Sequence, residues 1–283
     1  MDAFGPRVFG PDELGALASF YAQHGFAVLR GALDQTTLLA LDEECGAAQQ
    51  RLVAGELDDR YGTTDLIEGD AGAKATQFAN YVLRITELSP TAAAVVHAPV
   101  VQDVTGRCLG PGAWSGHGDR FGYVYQDARP AAESSYKRIG WHSDWQSSPH
   151  LAMWPSTAVT VHIDETSPAN GFLRVVPGSH QWATPAPYEN VNGAVVPPGA
   201  APCGGYADRP PPCPMPLGFE KVPGEIALYA DRGDLFFHDC YLWHSAALAT
   251  DPDTRRRHVR GSWFAGTRPA SFGPADFVKN AAR

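Results

Sequence analysis

Three times in this chain a histidine is followed two residues later by an aspartate: His117-Gly118-Asp119, His142-Ser143-Asp144 and His162-Ile163-Asp164. On extended backbone, residues i and i+2 point to the same side. Each pair therefore offers one imidazole and one carboxylate to a single cation. A second imidazole arriving from elsewhere would complete a face of two nitrogens and one oxygen, leaving the other coordination positions open to reactants. That set suits Fe(II) and dioxygen chemistry. The flanks single out the middle pair, which sits in Arg138-Ile139-Gly140-Trp141-His142-Ser143-Asp144-Trp145. His117 lies in a Gly-rich turn where the alternation does not apply, and it reads as polar loop. His162 ends an alternating strand and reads as a hydrogen-bonded strand residue.

The second imidazole is expected from the stretch Gly233 to Ser245, which holds His238 and His244. His244 lies 102 residues beyond His142 (244 − 142), far enough for several strands to intervene. Such a face needs a rigid frame, and 283 residues with 44% hydrophobic content can bury a full core. The net charge of −9 excludes the basic footprint of a nucleic-acid or anionic-membrane binder and favours a small-molecule substrate. Neither a basic amino-terminal stretch followed by an apolar one nor a membrane-length apolar run is present in the sequence, so a soluble, cytoplasmic protein is expected. Five cysteines without CxxC spacing argue against a disulfide framework or a zinc site. Cys203 and Cys213 share one Pro-rich loop, and in a reducing compartment both are expected as free thiols.

Pro11 with Asp12 and Glu13 opens a helix that His24-Gly25 closes, and Phe26 to Arg30 reads as a short strand. Asp34 caps a second helix with Leu38, Leu41, Cys45, Ala48 and Leu52 on one face, stopped by Gly55. Ser89-Pro90 and Ala98-Pro99 begin two more. From Ala113 the composition turns aromatic and β-branched. Strands are expected at Phe121–Gln126, around His142, at Thr157–Ile163, Phe172–Val176, Glu225–Tyr229, Asp234–His238 and His258–Ala265, with an Asn170-Gly171 hairpin turn. Residues 181–223 are rich in Pro and Gly without periodicity and read as a lid loop beside the site. The expected plan is one domain over 1–283, mainly β with flanking helices: helical support over 1–112 and a barrel over 113–270.

The order of motifs, Gly25-Phe26-Ala27-Val28-Leu29-Arg30-Gly31, the Trp141–Asp144 stretch, Asn170–His180, Gly233–Ser245 and a terminal Arg-bearing strand, resembles the phytanoyl-CoA dioxygenase superfamily of Fe(II)- and 2-oxoglutarate-dependent oxygenases. Tyr123-Val124-Tyr125-Gln126 ahead of Trp141–Asp144 is most similar to its ectoine-hydroxylase branch. The residues after Asp144 differ from that branch, so ectoine is not carried over as substrate. The resemblance implies a double-stranded β-helix (jelly roll), iron held by His142, Asp144 and His244, 2-oxoglutarate chelating it, and O₂ as co-substrate. It also implies an arginine for the distal carboxylate of 2-oxoglutarate, which a planar two-pronged donor suits. Arg255, Arg256, Arg257 and Arg260 are the candidates. Spacing from the distal histidine favours Arg255, and alignment to the end of the strand favours Arg257, so the expectation is Arg257 with Arg255 as alternate. Many such oxygenases carry Ser or Thr two residues after the distal histidine, where this chain has Ala246.

Tyr125, Gln126, Trp145, His150 and Trp154 are candidate substrate-pocket residues, against ordinary packing as the plainer reading. The expected activity is hydroxylation of a small-molecule metabolite, such as a natural-product intermediate, releasing succinate and CO₂. Alternatives are epimerisation, desaturation or cyclisation by the same cofactors, and a non-catalytic jelly-roll binding protein. Asp144 argues against halogenation, for which relatives replace this carboxylate with a small residue.

Overall fold

The computed structural model describes residues 7–62, 81–115, 121–125, 140–147, 153–184, 203–207, 209–216, 218–251 and 253–268. Within them the order is β1 (Val8–Phe9), α1 (Leu14–His24), β2 (Phe26–Leu29), α2 (Gln35–Val53), β3 (Tyr81–Val82), α3 (Ile85–Leu88), α4 (Pro90–Val96), α5 (Pro99–Leu109), β4 (Trp114–Ser115), β5 (Gly122–Val124), β6 (Ser156–His162), β7 (Leu173–Val175), β8 (Ile226–Leu228), β9 (Leu235–Asp239), β10 (His244–Ala246) and β11 (His258–Phe264).

Local chemistry sets the helix ends where the sequence reading puts them. Glu13 accepts from the Gly10 N–H at 3.0 Å ahead of α1, and Gly25, at φ +80°, closes that helix by donating to Tyr21 O. Asp34 accepts from the Thr37 N–H at 2.7 Å to start α2, and Ser89 accepts from Ala92 N at 2.9 Å to start α4. Glu44 of α2 then accepts from the Ser89 hydroxyl at 2.6 Å and from the Thr91 hydroxyl and N–H at 2.7 and 2.9 Å. This ties the two helices through the capping residue itself.

The larger sheet runs β1-β2-β9-β6-β11-β5-β3, with β4 also on β11, and the smaller runs β10-β7-β8. Alternation gives the larger sheet two faces. Val259 and Trp263 of β11, Val159 and Val161 of β6, and Leu235 and Phe237 of β9 are buried with Leu17, Leu41, Val96 and Val101 of the helices. On the other face Phe26, Val28 and Phe236 meet Val175 and Leu228 of the smaller sheet. The fold is thus the expected jelly roll: two facing sheets with helices packed on the outside of one.

Three expectations change in detail. The segment around His142 is not a strand: only His142 forms a bridge, to His244, and Asp144–Ser147 is a 3₁₀ turn. Asn170-Gly171 is a turn, but it leads from β6 in one sheet to β7 in the other rather than closing a two-strand hairpin. Asn170 Oδ1 accepts from Ser167 N at 2.7 Å, and its amide donates to Glu165 O and Arg255 O, so the side chain holds the crossing. Of the expected lid, residues 185–202, 208 and 217 lie outside the described residues. Its described parts pack inward: Trp141 donates from its backbone to Gly218 O and from Nε1 to Glu220 O, and Cys213, Met215 and Val222 join Trp141 and Trp243 in an apolar cluster. All five cysteines are free thiols, Cys203 and Cys213 included.

Two substitutions rank these contributions. Leu41→Ala, at a fully buried position, is expected to cost about 3 kcal/mol through transfer and cavity losses. Ser89→Ala is expected to cost about 1–2 kcal/mol by removing a cap and a buried partner of Glu44. Denaturant unfolding of both variants checks the order.

Candidate active site

His142 and His244 are held by main chain before their rings matter. The His142 N–H donates to His244 O at 3.0 Å and the His244 N–H returns to His142 O at 2.9 Å. Each ring is then oriented by its own neighbourhood: His142 Nδ1 lies 2.7 Å from Gly140 O and His244 Nδ1 lies 2.9 Å from Leu242 O. A carbonyl only accepts, so both Nδ1 atoms carry protons, and in the neutral form of each ring the Nε2 atom keeps its lone pair. Those two atoms stand 3.8 and 3.5 Å from Asp144 Oδ1. One ligand atom from each of the three residues lies within 4.8 Å of the other two, and among the described residues this is the group able to hold a metal ion.

Asp144 sits at the head of its 3₁₀ turn, where Trp145 N donates to Cys240 O and Ser147 Oγ donates to Asp144 O. Its two oxygens are engaged separately. Arg260 Nη2 donates to Oδ1 at 3.0 Å, and His238 Nε2 donates to Oδ2 at 3.2 Å. Burial alone would raise this carboxyl, but Arg260 and the surrounding imidazoles more than offset it and hold it well below the usual carboxylate range. His142 is pushed well below an ordinary histidine, first by burial and then by His244. Of His238 and His244, it is His244 whose ligand atom falls in the group with His142 and Asp144, while His238 Nε2 bonds to Asp144 Oδ2.

The donor set fits Fe(II). Two neutral imidazole nitrogens and one carboxylate oxygen converge with proton-free lone pairs, and buried His244 Nε2 has no hydrogen-bond partner. A buried nitrogen of that kind calls for an explanation, and a metal supplies one.

The arginines are distributed differently from the expectation. Arg257, the residue just before β11, is on the helix side with Val259 and Trp263, where it pairs with Asp164 at 2.8 Å and with Asp42 of α2. Arg255 is exposed, and with Arg257, Tyr123 and Tyr125 it lines a groove of about 560 Å³ against α2. The assignment of 2-oxoglutarate to Arg257 or Arg255 is therefore corrected, as is that of Tyr125 to the substrate pocket: all three lie on the far side of the sheet from the triad. The opposite parity of β11 faces the smaller sheet. It brings His258 and Arg260 inside, with Arg260 on Asp144, and Arg256, two residues ahead of the strand, is almost fully buried. Burial, and then the charge of Arg260, lower the Arg256 guanidinium to about 10. A Cβ on Gly171, which is at φ +85°, would stand 3.1 Å from Arg256 Nη1 and 2.6 Å from Ala247 O. Glycine at this turn lets the guanidinium through.

Trp145 is buried beside the triad against Tyr241, with ring centroids 6.2 Å apart. Trp154 packs on Phe264, on the inward parity of β11, at 6.4 Å. Gln126 and His150 lie outside the described residues. Sequence reasoning counted Arg256 and Arg260 among the arginine candidates but preferred Arg257 and Arg255, read His162 as a strand residue, and passed over His258. The available signal was Val259 and Trp263, whose apolar parity marks the helix-packed face and leaves the polar parity facing inward.

Fold and site together define a non-haem Fe(II)/2-oxoglutarate-dependent dioxygenase. The chain belongs to the phytanoyl-CoA dioxygenase (PhyH) family, whose pattern matches residues 21–257, a span that contains the whole triad. Among solved structures it is similar to the carbocyclase SnoK from nogalamycin biosynthesis (16% identity, TM-score 0.60, covering 97% of this chain and 93% of that one). It is also similar to EctD from S. alaskensis with 2-oxoglutarate and 5-hydroxyectoine (18%, 0.56, 89% and 80%). A third likeness is to the epimerase SnoN in complex with Fe³⁺, α-ketoglutarate and nogalamycin RO (20%, 0.58, 93% and 88%). At these identities the likeness is one of fold. No curated protein matches by sequence. None of the helices among the described residues is long and apolar enough to cross a membrane.

The buried imidazoles make acid sensitivity a test of this geometry. Burial lowers His142 and His258 well below 6.5, His162 to about 3 and His238 to about 4. The unfolded chain protonates all four near pH 6.5, so the stability they confer is complete above that pH and is lost as the pH falls through it. Asp239 works the other way, since burial pushes it up to about 7 and the folded chain holds a proton there that the unfolded chain releases. The lowered imidazoles outnumber the one raised carboxyl, so unfolding near pH 5.5 takes up protons on balance, and each proton contributes about 1.4 kcal/mol per pH unit. Denaturant midpoints of the metal-free protein are expected to fall steeply from pH 7 to 5, and His162→Phe should flatten that slope by one proton.

Proposed function

We propose that this chain is an Fe(II)/2-oxoglutarate-dependent oxygenase that hydroxylates a small, partly apolar metabolite of the natural-product kind. His142, Asp144 and His244 hold the metal, and Arg256 anchors the distal carboxylate of 2-oxoglutarate. The observation that carries the reading is the convergence of three proton-free ligand atoms beside an inward arginine. Bound iron supplies oxygen activation coupled to conversion of 2-oxoglutarate into succinate and CO₂.

The chain's own residues do the positioning. Gly140 and Leu242 carbonyls fix the imidazole tautomers through Nδ1. The His238 N–H occupies Asp144 Oδ2, which leaves Oδ1 facing the imidazoles. Arg260 keeps that carboxylate ionised. Trp145 covers the side toward Tyr241, and exclusion of water by such aromatic walls strengthens each charge contact within. The acidic net charge supports a substrate that is not a polyanion. The solved structures of similar fold include a carbocyclase and an epimerase, so product mass is the readout that fixes the reaction type.

The test is anaerobic addition of 2-oxoglutarate to the Fe(II)-loaded protein, followed by its weak visible charge-transfer band. The band should appear in wild type and be lost in His142→Ala. Arg256→Gln should weaken 2-oxoglutarate about a hundredfold. Arg257→Gln should leave that affinity within about threefold while costing about 1–3 kcal/mol of stability through the stranded Asp164 and Asp42. Loss of affinity on Arg257→Gln with Arg256→Gln silent would reverse the assignment. Metabolite screening by succinate release then follows, in which a product heavier by one oxygen marks hydroxylation.

A further inference from the structure

Two residues along β11 from Arg260, which contacts Asp144, two histidines face each other that no step above uses. His258 of β11 stands directly opposite His162 of β6, with ring centroids 5.7 Å apart, and His162 also lies against Phe236 at 4.5 Å. They are 4% and 5% exposed. Neither ring nitrogen of His162 has a hydrogen-bond partner, and neither does Nδ1 of His258. Leaving such groups unsatisfied costs on the order of 1–3 kcal/mol each, so a protein that keeps two together has a ligand for them. Nothing apolar explains the pair, since phenylalanine or leucine would fill the same space without penalty.

The surroundings say what the ligand is. Arg260 lies two residues after His258 on the same face of β11, and Arg256 lies two residues before it, just ahead of the strand, and is also buried. Both charges bear on His258 and hold it neutral, as burial already does. A neutral imidazole keeps one N–H to donate. The layer therefore presents guanidinium and imidazole donors together in a dry interior, which suits one end of an anion. The one anion that the proposed activity brings here is the oxo-acid, whose inner end faces the metal and whose distal carboxylate must lie deeper. Ala246, inward-facing on β10, offers that carboxylate no hydroxyl.

We propose that His162 and His258 form the floor of the oxo-acid site and donate ring N–H groups to the distal carboxylate beside Arg256, acting as positioning residues for 2-oxoglutarate. The proposal rests on the oxygenase reading above. It makes recognition of the distal carboxylate depend on three side chains, two of them uncharged.

The test separates recognition of that carboxylate from chelation. Affinities of the Fe(II)-loaded protein are measured anaerobically by calorimetry for 2-oxoglutarate and for 2-oxopentanoate, which has the same five carbons without the distal acid. His258→Phe and His162→Phe are each expected to weaken 2-oxoglutarate about tenfold or more and to leave 2-oxopentanoate and iron affinity unchanged. His258→Gln, which restores a donor, should recover most of the loss. Equal 2-oxoglutarate affinity in wild type and both Phe variants overturns the inference and leaves the oxygenase reading intact. Failure of wild type to bind 2-oxoglutarate while still binding iron overturns both. If the Phe variants do not fold, ¹⁵N-histidine spectra of the Zn(II)-loaded wild type decide: two buried ring N–H signals should shift with 2-oxoglutarate and stay with 2-oxopentanoate, and their indifference to both overturns the proposal.

Discussion

The reciprocal pair of backbone hydrogen bonds between His142 and His244 is the constraint on which the site depends. It joins a segment with almost no regular structure to the edge of the smaller sheet. Without it, His142 would hang from a loop that the described residues anchor through Trp141, Trp145 and the contacts of Asp144 with Arg260 and His238. With it, both imidazoles leave adjacent backbone positions and their separation is fixed by main-chain geometry, which no side-chain fluctuation alters. Asp144 then needs only the start of a 3₁₀ turn to come within reach.

A second constraint follows from the two faces of the larger sheet. Its outward side is the apolar core, sealed by helices, and its inward side mixes an apolar end around Phe26, Val28 and Phe236 with a polar end around His162, His238, His258 and Arg260. The polar end is costly in isolation, because imidazoles and guanidinium groups lose hydration there. The helix-packed face offsets that cost, helped by the partly buried ion pairing of Arg257 with Asp164 and Asp42 on its side of the sheet. Stability and chemistry thus occupy opposite faces of one sheet and are set by alternate residues of the same strands.

Much of this was legible in the sequence where local chemistry decides. Caps at Asp34 and Ser89, the glycine stop at Gly25, the apolar face of α2 and the alternation of β6 all follow from short-range rules, and the structure has them where those rules place them. The triad was legible too, although the reason given for it was not the operative one: His142 and Asp144 meet through a bridge and a turn, not through a strand. What stayed hidden was orientation. Arg255, Arg256 and Arg257 are three like residues in a row, and nothing local says which parity faces in. The usual rule that apolar residues face the interior misleads in a sheet whose packed core is on the helix side. Roles for His162 and His258 required knowing that β6 and β11 are neighbours in register, a long-range fact.

The main-chain anchoring of the ligand positions has a consequence for redesign. Hydrogen bonds to the backbone, not the coordinated atoms, hold residues 142, 144 and 244 in place. The side chain at 144 is therefore an interchangeable fitting on a fixed mount, while those at 142 and 244 also set their own tautomers against Gly140 and Leu242. A shorter residue at 144 would keep that main-chain frame while releasing the contacts that Arg260 and His238 make with the carboxylate. Diversification of such a scaffold has its cheapest route at that single position.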